Sequence, residues 1–426
     1  MGWLKIFRSK SLLILVALGI RLLLAAHLPS FLSSGGNPFR GNEPSHIAAH
    51  IAQGEGFSSP YDGIPVMPTA QQPPIYPFVL ATIFKVFGVY SRSSLLTILV
   101  VNAVAGSAIC LLIYYVGRSY FSEIAALIAA WAWALLPSIA ATDLFIANYT
   151  LATCFVLGWL LVLPRLTDSR RDWMMLGVAS GVAALLNPML LLAIPASCLF
   201  LAKKSQALFV GLGLVLTITP WMIRNYVVLG HVYPGLRDNF GLELYIGNHP
   251  GMEQARPRHC AWDLCDGTYD YEHADVPTGN RRFAEIGEPA FMAEKKGEAM
   301  AYIRSQPLKF LLRTARRMGA FWLLPYPIFY LCVLILSVVG TALAPASVRA
   351  FIAFMFLVYP VAFYLTQTTW ASSYRHPIEP LMLLGSAYAI ERGWAGLHSR
   401  VFARRHTPGV TRSAQPSQLT AAGAVL

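Results

Sequence analysis

Within "GNEPSHIAAHIAQGEGFSSPY", residues 41–61, Glu43, His46 and His50 fall on the spacing of one helical face. A carboxylate so placed can take a proton from an attacking group, and it is also an ordinary stabilising charge at a helix N-terminus. Asn42 is a candidate N-cap, Pro44 suits a first helical turn, and Gly54 and Gly56 would end the helix. The two histidines lack the H-E-x-x-H order of a zinc protease, so metal binding by this trio is the weaker reading. Asp143, in "PSIAATDLFIANYTLAT", opens an apolar run, either as a plain helix-terminal carboxylate or as a second acid or base. Arg224, in "TPWMIRNYVVLGHVYP", and Arg375, in "SSYRHPIEP", flank apolar runs beside aromatic residues. Arg313, Arg316 and Arg317 make a basic stripe before Trp322. Forked guanidinium donors match phosphate oxygens, although bases that snorkel beside an aromatic belt look the same in sequence. Gln71 sits in "PTAQQPPIYP", where prolines rigidify a turn and glutamines serve as polar cover.

These residues need elements to hold them, and the composition says which kind. The chain has 426 residues, is 56% hydrophobic and only 13% charged; soluble domains carry about 25% charge. The apolar runs are long and rich in Leu, Ala and Ile rather than alternating, which excludes an outer-membrane barrel. The fold class expected is an all-α polytopic membrane protein. A span needs about 20 apolar residues, and candidates lie at 11–29, 93–117, 121–138, 144–163, 172–187, 188–202, 206–224, 322–343, 350–366 and 376–393. The net charge of +12 does not point to nucleic acid, because the bases lie in short connections and are not interleaved with aromatics.

Lys5, Arg8 and Lys10 put the N-terminus in the cytoplasm by the positive-inside rule. With ten spans, Arg118, the group Arg165/Arg170/Arg171, Lys203/Lys204, Arg349 and the tail Arg400/Arg404/Arg405 fall on that side as well. Residues 73–88, short and carrying Lys85, then read as an interfacial or re-entrant helix on the outer side. The division that results is an N-terminal membrane module, 1–224, with a first outer loop at 30–92; an outer region at 225–321; C-terminal helices at 322–393; and a disordered cytoplasmic tail at 394–426. Glu43 and Asp143 would share an outer-leaflet cavity, with Ile47 and Ile51 lying on the membrane. Cys110, Cys154, Cys198 and Cys332 fall in apolar runs, whereas Cys260 and Cys265 lie in the outer region and could pair there.

Taken in order, the segment around Glu43, "PTAQQPPIYPFVLATIFKVFGVYS", "WAWALLP", "TPWMIRNYVVLGHVYPGLRDNFGLELYIGNHPG", "GEAMAYIRSQPLKFLLRTARRMGAFW" and "YRHPIEPLMLL" resemble the GT-C superfamily of membrane glycosyltransferases. The likeness is to the bacterial branch akin to lipid A aminoarabinose transferases, protein O-mannosyltransferases and Rgt-type glycosyltransferases, and extends to about residue 393. It implies a GT-C-like bundle of about ten transmembrane helices in a bacterial inner membrane, both termini cytoplasmic, with outer loops carrying the active site. It also implies a polyprenyl-phosphate sugar donor, a glycan, lipid or protein acceptor, and inversion at the anomeric carbon with a loop carboxylate as base. On the resemblance Glu43 is the base, Asp143 the second acidic candidate, and Arg224, Arg375, Arg317, His46, Gln71 and Asn148 the donor and substrate contacts. Many relatives have Asp-Glu where this chain has Asn42-Glu43, and an acidic residue near Asn148. No cofactor is expected, a divalent metal being the less favoured alternative. A transporter or flippase of lipid-linked glycans is the competing function.

Overall fold

The computed structural model describes residues 7–32, 39, 42–61, 63–200, 204–230, 235–250, 277–366 and 371–406. The expected pair Cys260 and Cys265 lies outside the described residues. Every described element is helical: α1 (Lys10–Leu32), α2 (Glu43–Gln53), α3 (Ile75–Phe87), α4 (Arg92–Tyr120), α5 (Glu123–Leu135), α6 (Pro137–Asp143) and α7 (Tyr149–Val162). There follow α8 (Arg170–Leu186), α9 (Ala193–Phe200), α10 (Lys204–Val228), α11 (Phe240–Gly247), α12 (Pro277–Ile286) and α13 (Glu288–Ser305). The chain ends with α14 (Pro307–Leu323), α15 (Pro327–Leu343), α16 (Ala346–Val358), α17 (Val361–Thr366), α18 (Ala371–Tyr374) and α19 (Glu379–His406).

Each of the ten apolar runs is helical, although not as ten separate rods. Among the described residues four stretches are long and apolar enough to cross a membrane unaided: Lys10–His27, Arg92–Tyr120, Gln206–Val228 and Ala346–Thr366. Two further pairs reach that length only together, α5 with α6, bent by 69°, and α14 with α15, bent by 83°. Residues 73–88 form the short helix α3, about 20 Å long at 1.5 Å per residue, against a hydrocarbon core of about 30 Å. The last helix continues to His406, past the point at which a structureless tail was expected.

The packing is close where glycines allow it. Gly177 of α8 lies against the Val210 backbone of α10, Gly213 of α10 against the Met174 backbone of α8, and Gly340 of α15 against Gly385 of α19, with no room for a Cβ at any of Gly177, Gly213 and Gly340. One apolar core joins α1, α4, α5, α7, α15, α16 and α19 around Trp133, which is fully buried. A second seats α2 and α3 on α1 and α4 through Ala48, Leu80, Phe84 and Leu99. Ile47 is buried within the protein and Ile51 packs against this second core, so that face of α2 points inward rather than onto the membrane as expected.

Candidate active site

The start of α2 follows from its sequence. Asn42 caps it, its Oδ1 accepting from the Ser45 backbone N–H at 3.1 Å, with proline in the first turn and Gly54 in the left-handed conformation at the far end. The other half of the Asn42 amide donates from Nδ2 to the carbonyl of Ile146 at 2.8 Å. A carboxylate has no hydrogen to give there. Asparagine therefore ties α2 to the connection between α6 and α7.

Glu43, one residue on, is 18% exposed at its side chain and surrounded by donors. The Tyr61 hydroxyl donates to Oε1 at 3.3 Å and Gln71 Nε2 to the same oxygen at 3.4 Å. Gln72 Nε2 donates to Oε2, and Arg237 Nη2 stands 3.6 Å from that oxygen. Arg237 also approaches Glu243 Oε1 at 3.7 Å, and its own side chain is 30% exposed. Burial, reinforced by the Glu43 charge, pushes the Tyr61 hydroxyl well above its usual pKa, so it stays a donor. Gln71 Oε1 is buried without a hydrogen-bond partner among the described residues. The Tyr149 and Tyr374 rings meet edge to face, 5.5 Å apart.

The loop carrying both glutamines is bonded on every side. The Thr69 N–H donates to the Phe57 carbonyl at 3.3 Å, and the Ala70 N–H to Glu288 Oε1 at 2.8 Å. The Thr69 hydroxyl donates to the other Glu288 oxygen and accepts from the Gln71 N–H at 2.9 Å. The Ala70 carbonyl accepts from the Asp238 N–H at 2.8 Å, and the Gln71 carbonyl from Arg237 Nε at 2.8 Å. Arg224 bonds the Thr69 carbonyl at 2.5 Å and the Phe57 carbonyl at 2.8 Å while stacking on Phe57 and Trp221. Burial raises Glu288 to about 8 and Asp238 to about 6.

The other residues singled out in sequence divide between this site and the interior. Gln71 joins Glu43 directly, and Arg224 reaches the same loop. His46 turns into the protein, where its Nδ1 lies 3.0 Å from the Tyr90 hydroxyl, and His50 pairs instead with Glu55 at 2.5 Å. Asn148 caps nothing with its side chain; its Nδ2 donates to the Leu186 carbonyl at 2.8 Å. Arg317 is buried and donates to the carbonyls of Gly247, Tyr364 and Leu365.

Asp143 is fully buried in a chain of charges rather than open to a cavity. Its carboxylate accepts from Arg21 Nη2 at 2.6 Å, Arg21 Nε at 2.8 Å and Thr150 Oγ1 at 3.2 Å, and lies 2.9 Å from His376 Nε2. His376 Nδ1 is 3.6 Å from Glu379, which Arg375 meets at 3.2 Å. Arg375 completes its bonds to the carbonyls of Phe321 at 2.5 Å and Leu324 at 3.1 Å, over the Tyr330 ring. Sequence reasoning missed Arg21 as a member of this chain, and missed Arg237, Glu243 and Glu288 at the loop. Arg237 is one charge in a connecting segment, with no pattern around it to mark a partner. Among the described residues no group of three His, Cys, Asp or Glu side chains has the geometry to hold a metal ion.

Residues 71–223 match the family model for dolichyl-phosphate-mannose-protein mannosyltransferases. The matched segment contains Gln71, Asp143 and Asn148 and begins after Glu43. No curated protein matches the chain. Among solved structures, the apo oligosaccharyltransferase of Archaeoglobus fulgidus is 14% identical over 97% of this chain and 54% of its own, with a TM-score of 0.48. The oligosaccharyltransferase AglB of the same organism, in complex with an inhibitory peptide and a dolichol-phosphate, is 15% identical over 95% and 53%, with a TM-score of 0.48. ArnT from Cupriavidus metallidurans, bound to undecaprenyl phosphate, is 13% identical over 96% and 81%, with a TM-score of 0.35. The chain spans about half the length of the two archaeal proteins. At these identities and scores none of the three bears on what the chain does. The family model agrees, however, with the resemblance carried by the sequence motifs: over residues 71–223 the chain is similar to dolichyl-phosphate-mannose-protein mannosyltransferases.

Proposed function

We propose that the protein transfers a sugar from a polyprenyl-phosphate donor to a hydroxyl or amine acceptor at the extracytoplasmic membrane face, with inversion and with Glu43 as general base. The observation that carries this is the setting of Glu43: a partly exposed carboxylate whose two oxygens are held by Tyr61, Gln71 and Gln72, 3.6 Å from a guanidinium. Those donors fix its direction, and a base fixed within reach of the acceptor proton contributes about 10²–10⁴-fold. As the acceptor oxygen or nitrogen bonds to the anomeric carbon, its proton passes to Glu43 and the carbon–oxygen bond to the phosphate breaks. The departing phosphate gains charge, which a preorganised cation stabilises. Arg237, 30% exposed with its Nη2 3.6 Å from Glu43, is the better candidate for that role than Arg317 or Arg375, which are buried, or Arg224, whose two Nη atoms are both engaged by backbone carbonyls. No step of this route calls on a metal.

The buried chain from Arg21 to Arg375 favours a second reading, because ionisable groups inside a helical bundle often line a transport path. That reading is a flippase of lipid-linked glycans. The test uses the full chain in lipid nanodiscs and liposomes with labelled polyprenyl-phosphate sugars and a panel of envelope acceptors. Glycosylated product from the wild type, reduced at least a hundredfold in Glu43→Gln, is the expected result. Undiminished product from Glu43→Gln removes the proposed base, and transbilayer movement of the lipid without product establishes the flippase.

A further inference from the structure

We propose that Glu288, 245 positions from Glu43 in the chain, is a positioning residue for the catalytic carboxylate, acting through the loop 69–72; the assignment rests on the function proposed above. Glu288 is the first residue of α13, follows Gly287, whose φ is +79°, and is 1% exposed. Both of its oxygens are used, one on the Ala70 N–H and one on the Thr69 hydroxyl, themselves fully buried residues. Thr69 relays the contact by accepting from the Gln71 N–H. Gln71 and Gln72 then present their amides to the two oxygens of Glu43.

The loop has no ladder or helix of its own at this point. Buried backbone groups must find partners, and here those come from Phe57, Arg224, Arg237, Asp238 and Glu288. Arg224 and Asp238 are the charged groups that act on Glu288: Arg224 holds the Thr69 carbonyl, and the Asp238 backbone the Ala70 carbonyl. Removing the Glu288 carboxyl strands a buried N–H and a buried hydroxyl, so the loop must shift to rehydrate them. A shift of the order of 1 Å in a group that aims a catalytic side chain costs about 10²-fold. Helix α13 thereby takes part in catalysis without touching substrate.

The test compares Glu288→Ala, Glu288→Gln and the milder Thr69→Val in the full chain. Sugar-transfer kinetics, thermal unfolding and amide hydrogen exchange over 69–72 are measured for each. Glu288→Ala is expected to lower kcat about ten- to a hundredfold, with KM for the donor within twofold of wild type and faster exchange at Ala70. Glu288→Gln keeps the acceptor for the Ala70 N–H and turns its amide nitrogen to the Thr69 hydroxyl, which can rotate to accept, so it should restore kcat to within threefold, with wild-type exchange at Ala70; Thr69→Val should fall between. Wild-type kcat in Glu288→Ala, unchanged exchange at Ala70, or a loss that glutamine fails to rescue would overturn the assignment. Should the wild type transfer no sugar, the proposed function falls, while exchange at Ala70 still decides whether Glu288 holds the loop.

Discussion

Replacing Asp143 with leucine should unfold the protein more readily than any change in its apolar core of similar volume. The substitution leaves the Arg21 guanidinium, 0% exposed, without the carboxylate that takes bonds from its Nε and Nη2 at 2.8 and 2.6 Å. It also removes the 2.9 Å partner of His376. Breaking a buried pair from one side costs about 3–5 kcal/mol, because the surviving charge stays buried and uncompensated. Exchanging both charges, Arg21→Met with Asp143→Leu, removes the ion rather than stranding it and should recover most of that loss. A double-mutant cycle on unfolding free energies, measured in one detergent for all four proteins, should therefore give a coupling of about 3 kcal/mol or more. Gly106→Ala gives an independent check, since its Cβ would stand 2.5 Å from Asp143 Oδ2 and 2.7 Å from Arg21 Nε and force the pair apart. A cost below about 1 kcal/mol for Asp143→Leu, or a double variant as damaged as the sum of the singles, refutes the reasoning.

Arg237→Ala should lower transfer by about 10²-fold and Arg237→Lys by less, since lysine keeps the charge but loses the fork that bonds the Gln71 carbonyl and faces Glu43; equal rates in all three proteins would remove Arg237 from the leaving-group role. Stability should also depend on pH through Glu288, raised by burial from an ordinary value near 4.5 to about 8. Between those values the folded chain binds the extra proton, so stability falls as pH rises through this window. Asp238, raised by burial to about 6, adds to the fall, whereas His249, lowered by burial to about 4, opposes it on the acid side. Glu288→Gln should flatten unfolding temperature against pH between about 4.5 and 8; an unchanged slope would refute the assignment of that proton.

Much of the scaffold was legible because apolar length is a strong signal: all ten runs form helix, and the short one at 73–88 stays short. The bends were not legible. The 69° break at Leu136 and the 83° break after Leu323 follow from tertiary packing around prolines rather than from hydropathy. At the site, local chemistry was readable and distant pairing was not. The Asn42 cap, Pro44 and the Gly54 stop were visible as a helix start and end, and Glu43 stood out by position. Nothing near Arg237 or Glu288 in the sequence indicates that they converge on residues 69–72, since those contacts are made 166 and 219 positions away in the chain. The same holds for the arginines. Arg317 and Arg375 look like membrane-boundary bases in one dimension and prove to be carbonyl clamps in three.

The bond between Arg21 and Asp143 also sets an order of events in the making of the protein. Arg21 enters with the first helix, whereas its carboxylate lies 122 residues later in the chain and His376 another 233 beyond that. At about 5–20 residues per second, the arginine waits roughly 6–25 s for Asp143 to be synthesised. An unpaired arginine at mid-helix disfavours insertion by about 2.5–3.5 kcal/mol. Helix α1 is long and apolar enough to cross a membrane with Arg21 in it, but it carries that cost until α6 is made. That cost is relieved late, when Asp143 joins the first helix.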